Sequence, residues 1–66
     1  MKLLINGKSE EICDGLSLKA FLESRNINPN VVACELNLKI QKRASLDETL
    51  LREGDVLEII QMIGGG

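Results

Sequence analysis

Turn-forming residues punctuate this chain so often that no element between them has room to be long. Asn6-Gly7, Asp14-Gly15, Asn26 to Pro29, Asn37-Leu38-Lys39 and Arg52-Glu53-Gly54-Asp55 each mark a place where the backbone reverses or breaks. Across 66 residues this spacing leaves room for short strands and one modest helix in a single small domain. A domain of that size buries only about 60% of the surface its unfolded chain exposes, so it offers no large enclosed active site.

The segments between the turns have distinct periodicities. Lys2-Leu3-Leu4-Ile5 reads as a short apolar strand, and Asn6-Gly7 is a strong signal for a two-residue hairpin turn. A second strand is expected from Lys8 to Cys13, with Ile12 pointing inward. Ser17 suits a helix N-cap, and Leu16 before it pairs with Phe21 as a hydrophobic staple. Leu18, Phe21 and Leu22 form the stripe that faces a sheet, while Lys19, Glu23 and Arg25 face water. Asn26 and Pro29 end this helix. Val31 to Leu36 predicts a third strand with Val32, Cys34 and Leu36 inward, and Ile40-Gln41 a brief fourth. The Ser45-x-x-Glu48 pattern predicts a capping box and one or two helical turns, with Leu46, Leu50 and Leu51 tucked against the core. Val56 to Met62 is the last strand, long and apolar enough for a central place beside the first. The sum is a small α+β domain in which a mixed sheet carries one main helix on one face, the ubiquitin-like β-grasp arrangement. The domain is expected to span 1–63, followed by a flexible glycine tail, 64–66.

Composition removes several function classes. The chain is 44% hydrophobic and 27% charged, as a folded domain requires. Eight basic residues against ten acidic ones give a net charge of −2, and Phe21 is the single aromatic residue. Neither feature suits nucleic-acid binding, which needs a basic face or stacking platforms. Histidine is absent, which rules out a histidine triad or a histidine metal ligand. Cys13 and Cys34 are too few for a disulfide scaffold or a four-thiolate metal site. No apolar run approaches the roughly 20 residues that cross a bilayer. Met1-Lys2-Leu3-Leu4-Ile5 starts like a signal peptide, but Asn6-Gly7-Lys8 interrupts it. The expectation is a cytoplasmic protein with reduced thiols, no membrane contact and no bound metal or cofactor.

Cys34, mid-strand among apolar neighbours, reads as a small hydrophobe rather than a nucleophile, and Cys13 lacks any motif. The acidic residues are scattered as on a solvated face. Lys39, Lys42 and Arg43 suit an edge strand protected by charge. On the last strand, alternation that turns Leu57 and Ile59 toward the helix turns Glu58, Ile60 and Met62 outward. Ile60 and Met62 then either lie under a loop or form a partner surface. The ending Gly64-Gly65-Gly66 carries nothing to bury. Extended, three residues reach about 10 Å, enough to place a terminal carboxylate in another protein's cleft. A frayed end is the plainer reading of glycines alone; a β-grasp domain ending in them is more telling.

The whole chain resembles the ThiS sulfur carrier proteins of thiamine biosynthesis, which are ubiquitin-like. The matching pieces are Asn6-Gly7-Lys8, Glu35-Leu36-Asn37, and the run from Arg52-Glu53-Gly54-Asp55-Val56 to Met62-Ile63-Gly64-Gly65-Gly66. The resemblance implies a protein co-substrate rather than an enzyme, with no catalytic residue of its own. An E1-like adenylating enzyme of the ThiF type uses ATP to adenylate the Gly66 carboxylate. Sulfur from a donor such as a cysteine desulfurase then replaces AMP to give a thiocarboxylate, which thiazole synthase of the ThiG type consumes. On this implication Gly66 carries the sulfur, Gly65 and Gly64 let the tail enter partner clefts, and Ile60 and Met62 dock. The small subunit of molybdopterin synthase, other β-grasp sulfur carriers and a purely binding ubiquitin-like module remain alternatives.

Overall fold

Two hairpins and one crossover helix build the domain, and the computed structural model describes residues 1–62. Strand β1 (Lys2–Ile5) turns through Asn6-Gly7 into β2 (Lys8–Glu11), with Ile5 opposite Lys8. Both turn residues have positive φ, 48° and 83°, as a type I′ turn requires. Helix α1 (Leu18–Ser24) then crosses the sheet. Strand β3 (Val32–Leu36) turns through Asn37-Leu38 into β4 (Lys39–Gln41), and β5 (Val56–Gln61) enters last. The strand order is β2-β1-β5-β3-β4. β5 runs parallel to β1 and antiparallel to β3, so the final strand sits in the middle as its apolar character implies. This is the expected α+β, ubiquitin-like arrangement.

The helix is held at both ends by bonds that read directly from its flanks. Its first four amide groups lack partners within the helix. The Leu18 amide donates to the Thr49 carbonyl (2.7 Å) and that of Lys19 to Leu46 (3.1 Å). The Ser17 hydroxyl accepts from Ala20 (3.0 Å), and the Ser17 carbonyl from Phe21 (2.9 Å). At the other end Asn26 adopts φ 58°. Its amide donates to the Glu23 carbonyl and that of Ile27 to Leu22, the pattern of a Schellman motif. Leu18, Phe21 and Leu22 are buried against Leu3, Ile5, Cys34, Leu36 and Leu57 of the sheet, as their spacing predicts.

Several expectations need correction. β4 begins one residue early, at Lys39, and β5 ends at Gln61 rather than Met62. β2 ends at Glu11 rather than Cys13, although Ile12 is buried and its amide donates to the Met1 carbonyl (2.7 Å). β3 begins at Val32, because Pro29 opens a 3-10 turn, Pro29–Val31, that takes up Val31. The Ser45-x-x-Glu48 box does not form. A 3-10 turn spans Arg43–Ser45 instead, and the Ser45 carbonyl accepts from the Glu48 amide (3.1 Å) and the Thr49 hydroxyl (2.8 Å). Leu46 to Glu48 continue as a turn, and the chain is extended only near Leu50, which bridges Ser17, while the Leu46 and Thr49 carbonyls serve the amides of α1 and the Leu51 amide donates to Leu16 (3.0 Å). Leu46 and Leu51 are buried as expected, but Leu50, which alternates with Leu51, is 56% exposed. The boundary at residue 63 and the tail 64–66 lie outside the described residues.

The α-amino group of Met1 closes the β1–β2 edge. It donates to the Ile12 carbonyl (2.6 Å) and to Asp14 Oδ1 (2.9 Å), with Glu11 Oε2 at 3.4 Å. The hydrogen bond to Asp14, reinforced by Glu11, raises the amine pKa above its ordinary 8.0. A pKa raised by folding stabilises the fold fully below the unfolded value and is lost as pH climbs through the folded one. Thermal melts should therefore show stability falling above about pH 8. Asp14→Asn should flatten that alkaline limb while leaving the part due to the Cys34 thiol, which burial also pushes up. An unchanged slope in the variant would show that the amine contributes nothing to it.

Candidate functional site

With α1 on one face, the other face of the sheet is open, and its side chains follow from register. Pairing sets Leu4 beside Val56 between β1 and β5. It sets Ile60 beside Ala33, and Glu58 beside Glu35, between β5 and β3. Ile40 of β4 lies across from Glu35. Leu4, Val56, Ile40 and Ile60 are all exposed apolar side chains, Ile60 at 55%. The open face is thus an apolar surface with two carboxylates at its centre.

Ile60 lies on that face, on β5 one residue before the strand ends. Met62 sits just beyond β5, where its amide donates to the Val31 carbonyl (2.9 Å), and its side chain is 44% exposed. It borders a hollow of about 160 Å³ with Pro29, Val32, Cys34, Gln41 and Arg43. Gly64, Gly65 and Gly66, the other residues singled out by sequence, lie outside the described residues.

The described residues do not assemble a reaction centre. Cys34 is buried with 3% of its surface exposed, and burial raises its thiol pKa, which opposes thiolate chemistry. Cys13 is exposed. Among the described residues no group of three or more His, Cys, Asp or Glu side chains is placed to hold a metal. A hollow of about 490 Å³ lies between α1 and the Arg43–Ser45 turn, with Lys19, Arg43, Glu23 and Asp47 among its lining. These charges are mixed and open to solvent, without a convergent acid–base pair.

Two asparagines have a role that local sequence did not reveal. Asn6 accepts from the Ile59 amide at Oδ1 (2.7 Å) and donates from Nδ2 to the Ile59 carbonyl (3.3 Å). Its side chain acts as one more peptide in the β1–β5 ladder after β1 has ended. Asn37 does the same at the opposite end of β5, accepting from the Val56 amide (2.9 Å) and donating to Asp55 Oδ1 (3.0 Å). Both hairpin turns thereby grip the strand that leads to the C-terminus. The family model described as the ThiS family matches residues 3–66, so the match covers the fold, the open face and the glycine ending together.

The chain belongs to the ThiS family.

Solved structures agree. The crystal structure of thiamine biosynthesis protein ThiS from Geobacter metallireducens superposes with a TM-score of 0.87 at 29% identity, covering 100% of both chains. The solution structure of a thiamine biosynthesis protein from the same organism gives 0.80 at 29% identity, covering 100% of this chain and 88% of that one. Two relatives are named thiazole synthase. One, from Paramagnetospirillum magneticum, is 36% identical over 66 residues; the other, from Magnetococcus marinus, is 32% identical over the same length. This chain spans about a fifth of the length of each (20%). ThiS membership bears out the resemblance read from the last strand and the glycines, and makes this a small carrier-type protein.

Proposed function

We propose that this ThiS-family protein carries sulfur on its C-terminal glycine for thiazole formation in thiamine biosynthesis. The observation that carries the reading is the family match running unbroken to residue 66. A free carboxylate is a poor electrophile, so Gly66 requires activation. An E1-like enzyme of the ThiF type supplies it by transferring AMP from ATP to the carboxylate. The outer sulfur of a persulfide, as a cysteine desulfurase generates, then displaces AMP to give an acyl disulfide, and a second thiol attacks the donor's sulfur, releasing the thiocarboxylate at Gly66 and leaving the two thiols joined as a disulfide. Glycines at 64 and 65 let the chain thread a narrow cleft, and Ile60 and Met62 lie close to where partners engage. Thiazole synthase is the acceptor on this reading. The two relatives of that name support it, since a counterpart of all 66 residues lies within each of those longer chains. ATP is thus used by the partner and not held by the carrier, and the setting is the cytoplasm, where Cys13 and Cys34 stay reduced.

The test is intact-mass measurement of protein made with its activating enzyme and a sulfur donor. One oxygen should be exchanged for one sulfur, and fragmentation should place the exchange at Gly66. Sulfur attached at Cys13 or Cys34, with Gly66 unaltered, would overturn the assignment of the carrier atom.

A further inference from the structure

Asn6 does more than its turn requires. A type I′ turn asks only for positive φ at both central residues, and glycine at position 6 would supply it as well as asparagine does. The amide side chain serves another purpose. Its Oδ1 accepts from the Ile59 amide (2.7 Å) and its Nδ2 donates to the Ile59 carbonyl (3.3 Å), partners 53 residues apart in the chain. Pairing of β1 with β5 stops at Ile5, opposite Leu57, where the Asn6 amide donates to the Leu57 carbonyl (2.9 Å). Among the described residues, the Asn6 side chain makes the only hydrogen bonds that reach β5 beyond Leu57 from the β1 side. On the other side β3 stays paired as far as Gln61, and the Met62 amide donates to the Val31 carbonyl. The last stretch of β5 is therefore held on one flank by a strand and on the other by a single side chain.

We infer that Asn6 is a positioning residue for the adenylation of Gly66, fixing the direction in which β5 delivers the C-terminal segment to the activating enzyme. The inference rests on the sulfur-carrier reading. Met62 lies three residues beyond Ile59. Extended, that is about 10 Å of chain, so a tilt of about 10° at Ile59 moves the exit point by about 2 Å. Reacting groups must be held to within about 0.5 Å of the productive geometry, so a shift of that size is felt at the reaction. Both bonds of the Asn6 side chain lie at the surface, where water competes for the same groups, and they add little to stability. Their effect is on direction. Asn37 supplies the contrast. It too has positive φ (52°), and its side chain too bonds β5, accepting from the Val56 amide (2.9 Å), but at the end where the strand enters the sheet. Losing the Asn37 side chain frees the end of β5 that does not lead to the carboxylate.

The experiment compares Asn6→Gly with Asn37→Gly, each as the full chain, in ATP–pyrophosphate exchange by the adenylating enzyme of the same organism, with melting curves alongside. Glycine keeps positive φ accessible in both turns and removes only the amide side chain. Both variants should fold and melt within a few degrees of one another. Asn6→Gly should lower kcat about fivefold or more while the KM for the carrier stays within about twofold, because the domain still docks but presents its terminus less often in the productive direction. Asn37→Gly should keep the wild-type kcat. Asn6→Asp still accepts from the Ile59 amide but cannot donate to its carbonyl, so its kcat should fall between those of Asn6→Gly and the wild type. An equal loss of kcat in the two glycine variants would overturn the inference, since general loosening of β5 would then account for both. A loss confined to KM would also overturn it, by making Asn6 part of the docking contact. Wild-type protein that is never adenylated would instead strike the carrier reading itself, independently of the asparagines.

Discussion

Deleting Gly65 and Gly66 should leave the melting temperature almost unchanged and abolish adenylation. The buried side chains that hold the domain run from Leu3 to Leu57, and the ladder of β5 against β3 closes at Gln61. Glycines after that point have no side chain to bury, and chain ends without packing contribute little to stability. Function is a matter of reach. Two residues fewer draws the carboxylate back by about 7 Å, about twice the reacting-atom separation a productive geometry allows. Gly65→Trp should act in the same direction for a different reason: the terminal carboxylate remains, but the chain no longer passes a narrow cleft. Melting curves together with ATP–pyrophosphate exchange by the activating enzyme check both variants. A truncated protein that unfolds would make the glycines structural. One adenylated at its new terminus would show that the length of the tail is not read.

The elements that were legible in the sequence are those fixed by neighbours in the chain. Asn6-Gly7 adopts its turn because both residues tolerate positive φ, and Ser17 caps α1 because its hydroxyl reaches an amide three residues on. Leu18, Phe21 and Leu22 are buried because one helical face meets one sheet face. Beyond the late start of β3, which Pro29 sets locally, the differences were decided by distant partners. Ser45-x-x-Glu48 has the local chemistry of a helix start, yet the first amides of α1 draw on carbonyls at Leu46 and Thr49, and the stretch stays a turn instead of a helix. Leu50 turns outward as a consequence. Asn6 and Asn37 read as turn residues, which they are, but their bonds to β5 span 53 and 19 residues and leave no local trace. The same holds for Glu35 and Glu58. Each is an ordinary outward residue of its own strand, and only the β3–β5 register brings them face to face. The open face could therefore be expected as apolar, but not as charged at its centre.

Leu57→Ala should unfold much of the protein, whereas Ile60→Ala should leave it folded and impair docking. Leu57 has no exposed surface and lies on the central strand, opposite Leu36 on one side and Ile5 on the other. Truncating a buried leucine costs about 2–5 kcal/mol through lost transfer energy and the cavity left behind. A domain of this length has a total stability of roughly 3–10 kcal/mol, so the loss is a large share of it. At about 4–8 °C per kcal/mol for small domains, the melting temperature should fall by at least about 8 °C. Ile60, three residues later, points to the opposite face and is already 55% exposed. Its truncation removes little burial, and exposed positions of this kind usually shift stability by no more than about 0.5 kcal/mol. What Ile60→Ala loses is apolar area beside Glu58, so binding to thiazole synthase should weaken in protein that melts normally. Equal destabilisation by the two variants would mean that Ile60 is packed and the open face is not available to a partner. A normal melt with undiminished binding would place the contact elsewhere on the domain. The period-two geometry of one strand otherwise separates the tasks: alternate side chains on β5 hold the fold from beneath and meet the partner from above.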